Sequence, residues 1–188
     1  IWQARSEGHD IASHGCGHFD GSKWTKADWL DEFSSFTTIL RDAWTLNGID
    51  GEPAGWREFA ESGIQGFRVP YLATGKGLAP ALAEAGFRYD ASGVSRGPQL
   101  PHERKDGLMD FALPQIPLGP SGRRVIAMDY NLFVRDSGGF ERGDPEGRFE
   151  AQALSAFRAA FEEQYSNDRV PLQIGFHFTL MNDGAYWR

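Results

Sequence analysis

At 188 residues the chain is long enough for one domain with a real core and too short for two comfortable ones. Its 40% hydrophobic and 24% charged residues match an ordinary globular protein, and no stretch reaches the roughly 20 apolar residues that span a bilayer. A formal net charge of -7, with "GRR" at 122–124 the one dense basic spot, argues against a nucleic-acid-binding face.

In chain order, Ile1 opens in mid-pattern, with no methionine and no signal-peptide architecture, so the visible chain reads as a processed or truncated piece. "GHDIASHGCGHFDG" at 8–21 follows, a loop too rich in glycine for an ordinary helix. "TKADWLDEFSSFTTILRDAW" at 25–44 predicts an amphipathic helix: Thr25 is its N-cap, with Asp28 three residues on, and Trp29, Phe33, Phe36, Leu40 and Trp44 recur at helical spacing. "NGIDGEPAG" ends it. "SGIQGFRVPYL" at 62–72 predicts a buried strand running into a loop at Pro70, and 77–85 a helix closed by Gly86. "FRYDAS" is a short strand, and 91–107 a long loop.

"LMDFALPQIPLG" and "RRVIAMDYNLFV" read as strands or strand-like arms, the first weakened by three prolines in 114–120. "PEGRFEAQALSAFRAAFEEQYSN" is the longest helix, with Phe149, Leu154, Phe157 and Phe161 on one face, and "VPLQIGFHFTL" reads as an apolar strand up to His177. Helices alternate with apolar strands, without repeats or linkers. That order argues for an α/β domain, a parallel sheet covered by helices, open or closed into a barrel. Chemistry in such folds sits where strands end. The histidine loop, "FRVPY" and "QIGFH" are all such places.

His14 and His18 lie four apart, a spacing at which both imidazoles can reach one metal ion, and Gly15 and Gly17 let the backbone curl. The alternative is two loop histidines bonded to backbone carbonyls. His9 reads as structural. Cys16 is the lone cysteine; it gives no internal disulfide and reads as a small buried side chain, with a metal role as the alternative. His177 ends an apolar strand, where an imidazole needs a partner or serves as a proton donor. Arg68 at a buried strand end needs a carboxylate, and Pro70 sets the turn so that the Tyr71 amide can meet a ligand. The 13% aromatic content mildly favours a carbohydrate ligand over a nucleotide, although core packing explains most single tryptophans.

In this order the pieces resemble the polysaccharide deacetylases of carbohydrate esterase family four, the NodB-homology domain, and within it the chitin-deacetylase-like branch. "GHDIASHGCGH" is similar to the family's histidine motif, "GFRVPYLATG" to its R-x-P-Y motif, and "LQIGFHF" to its last strand with the catalytic histidine; "AGFRYDAS" also matches a family stretch. The likeness covers nearly the whole chain. It implies a single catalytic domain over 1–188, folded as a distorted (β/α) barrel that lacks its first strand in this segment.

The resemblance also implies roles. His14 and His18 would bind a divalent metal, most often zinc, with a carboxylate as third ligand. An aspartate base would activate water, with Arg68 orienting it. The Tyr71 amide would hold the oxyanion, and His177, with Asp90 as a weaker candidate for tuning it, would protonate the leaving amine. The implied reaction is removal of acetyl groups from an N-acetylated sugar polymer or oligomer, chitin- or peptidoglycan-like, with a secreted, periplasmic or cell-surface location. The family's aspartate pair is not found in this chain and is expected upstream of Ile1. Gly15 stands where the family usually has Ser or Thr, and no Trp follows Asp90, where Met109 is the nearest candidate to wall the pocket. Asn182, Asp183 and Trp187 are candidates to contact the sugar. A carbohydrate-binding protein without turnover, and an amidase for a non-sugar amide, are the other readings that these residues allow.

Overall fold

The computed structural model describes residues 1–119 and 122–188; Pro120, one of the three prolines noted above, lies outside them. In chain order its helices are α1 (Trp2–Ser6), α2 (Lys26–Arg41), α3 (Ala43–Leu46), α4 (Trp56–Glu58), α5 (Leu78–Glu84), α6 (Asp129–Ser137), α7 (Arg148–Ser166) and α8 (Met181–Gly184). Its strands are β1 (Gly66–Phe67), β2 (Tyr89–Asp90), β3 (Val94–Ser95), β4 (His102–Glu103), β5 (Met109–Asp110), β6 (Leu113–Leu118) and β7 (Arg123–Ile126). The chain divides into two compact units, Ile1–Gly93 with Pro101–Phe111 and Val94–Leu100 with Ala112–Arg188. Among the described residues no helix is long and apolar enough to cross a membrane.

The first unit is organised by α2. The Thr25 hydroxyl accepts from the Asp28 amide while the Asp28 carboxylate accepts from the Thr25 amide, so two helix-end N–H groups are satisfied reciprocally. Trp29 and Phe33 then turn inward onto Phe67, Val69, Leu78 and Leu82. Each such side chain, fully removed from water, stabilises the fold by about 1.5–3 kcal/mol. The expected helix over 25–44 stops at Arg41 and restarts as α3; Phe36 and Trp44 pack only partly, against a second cluster around Leu40, Trp56 and Phe59. The helix expected over 77–85 is α5, followed by Gly86 at φ 80°.

Less of 62–72 is extended than the apolar pattern implies. Phe59–Gly63 forms a wide helical turn, β1 is two residues long, and Pro70–Leu72 is a tight helical turn. β1 pairs in parallel with β2, β2 in parallel with β5, and β5 antiparallel with β4. Ser13 adds a parallel bridge on the free side of β1, its amide donating to Gly66 and its carbonyl accepting from Arg68. The sheet is therefore mixed, not wholly parallel. The segment 91–107 also carries β3 and β4 within what reads as a loop.

In the second unit β6 lies between β3, parallel to it, and β7, antiparallel to it. It tolerates Pro117 because β3 pairs only with Leu113 and Pro114, leaving the rest of β6 laddered on one edge. Three expectations change here. "RRVIAMDYNLFV" is a strand only as far as Ile126, and its second half is α6. The apolar run before His177 contributes one parallel bridge, Gly175 to Met128, in place of a full strand. The core face of α7 is Ala153, Ala156 and Ala160, whereas Leu154 and Phe161 are 49% and 55% exposed. Small side chains let the helix approach β6 closely, and the bulky residues are left on the outer face or at its margin. Both units are mixed α/β with small sheets.

Candidate functional site

In the first unit the Ser13 bridge carries the chain to the end of the parallel strands and delivers His14 beside Arg68, the residue just after β1. His14 Nδ1 lies 2.8 Å from the Arg68 carbonyl oxygen. A carbonyl oxygen only accepts, so Nδ1 is the donor in that bond, an outer hydrogen bond of the kind that orients metal-binding imidazoles. The ring of His18 lies edge-on to that of His14 with centroids 5.0 Å apart, and Tyr71 lies edge-on to His18 at 4.8 Å. His14, His18, Arg68 and Tyr71 are thus neighbours. The geometry bears on both of the open readings of the histidines: one His14 nitrogen is held by a backbone carbonyl, and the two rings lie side by side.

The backbone here is held in uncommon conformations. Gly15 has φ 83°, and the residues His18, Tyr71 and Leu72 have φ of 52°, 60° and 54°. It is His18, not Gly17, that shares the left-handed conformation with Gly15. A side chain at Gly15 would be strained by that φ, and its Cβ would also lie 3.0 Å from a Glu32 carboxylate oxygen. Left-handed non-glycine residues cost of order 1–3 kcal/mol each and persist where the surroundings over-determine them. Pro70 is buried beside them, and Tyr71 is 68% exposed.

Arg68 and Asp90 are both engaged within the first unit. The Arg68 Nε donates to the Ala91 carbonyl at 2.9 Å, and burial pulls its guanidinium below the ordinary arginine range, partly offset by Tyr89 and Asp90. The Asp90 carboxylate, buried at 3% exposure, accepts from Arg104 at 2.8 Å and from the Ser92 amide at 2.9 Å. Arg104 also donates to Asp106, whose carboxyl is held below its usual range chiefly by that hydrogen bond. Burial, desolvating the carboxylate, lifts Asp110 in the same unit above its usual range. Met109 is half-buried in β5, paired with Tyr89 and Glu103.

In the second unit the Gly175–Met128 bridge sets Asp129 and His177 side by side. Asp129 is fully buried, at 0% exposure. One of its oxygens accepts from the His177 amide at 2.7 Å; the other lies 2.7 Å from His177 Nδ1 and accepts from the Tyr130 amide at 2.6 Å. A Cβ on Gly175 would come within 3.0 Å of Met128, so the close approach uses a glycine. The carboxylate that orients His177 is therefore Asp129, and Asp90 is engaged by Arg104. Composition and motif spacing pass over Asp129 because it hides in a strand-like run; the readable signal is an acidic residue immediately after "VIAM", at a strand end.

Trp187 is 44% exposed and packs against Phe176 and Phe178 at 5.3 and 6.1 Å. Asn182 is buried at 0% exposure and spent internally, accepting from the Arg142 amide and donating to the Tyr186 hydroxyl, while Asp183 is exposed. Cys16 is exposed, not buried, and His9 is exposed, its ring 3.9 Å from the Glu7 carboxylate. Among the described residues no third His, Cys, Asp or Glu joins His14 and His18 in a metal-holding group. Two neighbouring imidazoles are donors of the kind that suits a borderline ion such as zinc. No family model matches the chain, and no curated protein matches it.

Proposed function

We propose that the protein hydrolyses the N-acetyl group of an N-acetylated sugar polymer or oligomer with the help of a divalent metal, zinc being the natural choice for two imidazole donors, on a distorted (β/α) barrel of the NodB-homology type. The observation that carries this reading is the pairing of His14 and His18, their ring centroids 5.0 Å apart, with His14 Nδ1 held by the Arg68 carbonyl at 2.8 Å. When bound, the ion would polarise the acetamide carbonyl and acidify a water to a pKa of about 7.

The chain's own residues supply further parts of the reaction, the aspartate base not being among them. Arg68 presents its carbonyl to His14 and would keep positive charge beside the base. The turn at Pro70 sets Tyr71 against His18, and its backbone amide is the proposed oxyanion donor. His177 is the proposed acid for the departing amine: Asp129 orients its ring through Nδ1 and leaves Nε2 to hold the proton. Trp187 is the proposed stacking surface for a sugar ring.

The test is release of acetate from N-acetylglucosamine oligomers by the protein, with and without chelator, alongside His14→Ala and His177→Ala. Loss of activity in chelator and in both variants, with circular dichroism unchanged, is expected. Full activity of His14→Ala in metal-free buffer would overturn the reading, and sugar binding with no acetate release would point to a carbohydrate-binding protein.

A further inference from the structure

One feature of the histidine loop belongs to neither histidine. Glu32, on α2 and sixteen residues beyond Cys16, places a single carboxylate oxygen 2.6 Å from the Cys16 amide and 2.8 Å from the Gly17 amide. Successive backbone N–H groups that converge in this way after a left-handed residue form an anion-holding nest, and Gly15 at φ 83° supplies that residue. The two clamped amides lie in the three-residue span between His14 and His18. The same oxygen lies 3.0 Å from where a Cβ on Gly15 would stand, so three consecutive positions close around it.

Resting on the metal-dependent reading above, we infer that Glu32 is a positioning residue for the imidazole pair: its carboxylate fixes the Cys16–Gly17 backbone and thereby the spacing at which His14 and His18 present their rings. The physical reason is strength and geometry. Hydrogen bonds to an ionised acceptor are about twice as strong as neutral ones. One oxygen shared by two amides leaves the peptide between them little freedom. α2 provides a rigid support, since its capping box and its buried Trp29 and Phe33 fix the helix face from which Glu32 extends. His18 needs this support, because its own φ of 52° is one an unconstrained histidine seldom keeps. Glu32 itself touches no reacting atom; it acts through the loop.

The experiment compares the protein with its Glu32→Leu, Glu32→Gln and Asp31→Leu variants, Asp31 being an exposed acid on the same helix. Three quantities are read: zinc affinity by competition with a chromophoric chelator, the visible absorption of the cobalt-loaded protein, and hydrogen exchange of the Cys16 and Gly17 amides without metal. In Glu32→Leu the two amides are expected to lose protection and zinc affinity to fall about 10–100-fold, the usual effect of removing an outer-shell partner. The cobalt spectrum should shift. Glu32→Gln keeps an acceptor oxygen in place and should recover part of both losses, while Asp31→Leu should behave as the parent. Should Glu32→Leu fail to fold, Glu32→Gln carries the test through faster exchange at these two amides than elsewhere in the loop. Unchanged exchange in the variant read, or zinc affinity within twofold of the parent in Glu32→Leu, would overturn the inference. If the parent binds neither zinc nor cobalt, the metal reading fails on its own, and amide exchange together with the imidazole nitrogen shifts of His14 and His18 still decides whether Glu32 holds the loop.

Discussion

The Asp129–His177 pair shows how much one buried carboxylate can determine. With both oxygens committed to His177 and its neighbour Tyr130, Asp129 sets the position of the His177 backbone and the tautomer of its ring together. Asp129→Asn puts an amide where an acceptor is required, so the imidazole loses its orientation. Acetate release is expected to fall by about 10²–10⁴-fold, the contribution of a well-placed acid or base, with the substrate concentration for half-maximal rate little changed. Steady-state kinetics on N-acetylglucosamine oligomers would check it.

Arg104 is a residue-scale case of stability, not chemistry. It bridges Asp90, which is buried, and Asp106, which is partly exposed. Arg104→Met strands the Asp90 charge and is expected to cost about 1.5–3 kcal/mol in urea unfolding at neutral pH. The Asp106 carboxyl is depressed in the folded state, so its contribution is present above the unfolded value of 3.8 and is lost as pH falls through the folded value. The acid limb of the stability profile should accordingly be shallower in Arg104→Met than in the parent.

At the scale of elements, α2 and α7 obey different rules. The start of α2 is a local matter: Thr25→Ala removes the hydroxyl that accepts from the Asp28 amide and should cost about 1 kcal/mol in thermal or urea unfolding. The packing of α7 is not local. Its apolar pattern contains two plausible faces, an aromatic one and an alanine one, and the strand beneath selects the alanines because only they permit close approach. Ala156→Leu is expected to cost about 1–3 kcal/mol through overpacking, whereas Phe161→Ser on the exposed face should stay within about 0.5 kcal/mol. Urea unfolding of the two variants side by side would show whether burial or bulk decides the face. The capped start of α2, the helix closed by Gly86 and the existence of α7 were legible in the sequence because each depends on residues within one or two turns. The α6 start at Asp129 was not, since "VIAMDYNLFV" is apolar enough for a strand and only the Gly175–Met128 bridge ends it.

At the scale of the molecule, each unit has its own apolar interior: aromatic-rich around Trp29 and Phe67 in the first, and built from Ile116, Leu132 and the α7 alanines in the second. Leu82→Ala and Leu132→Ala, both at fully buried positions, should each cost about 2–5 kcal/mol. Five of the six tryptophans (Trp2, Trp24, Trp29, Trp44 and Trp56) belong to the first unit and Trp187 to the second. Tryptophan fluorescence should therefore report mainly the Leu82→Ala loss, and far-ultraviolet dichroism both.

What the sequence by itself determined is whatever short-range chemistry can specify: a reciprocal cap at Thr25 and Asp28, helices of the right period, a glycine-bent loop with two imidazoles four apart, and an arginine and a proline at a strand end. Only the tertiary structure decided which groups from distant segments serve those residues: the Arg68 carbonyl on His14, the Glu32 carboxylate under Cys16 and Gly17, and the Asp129 carboxylate on His177. The reason is separation along the chain. Asp129 and His177 are 48 residues apart and His14 and Arg68 are 54 apart, and such pairs are chosen by strand register and by glycine-permitted close approach, neither of which leaves a periodic mark in the sequence.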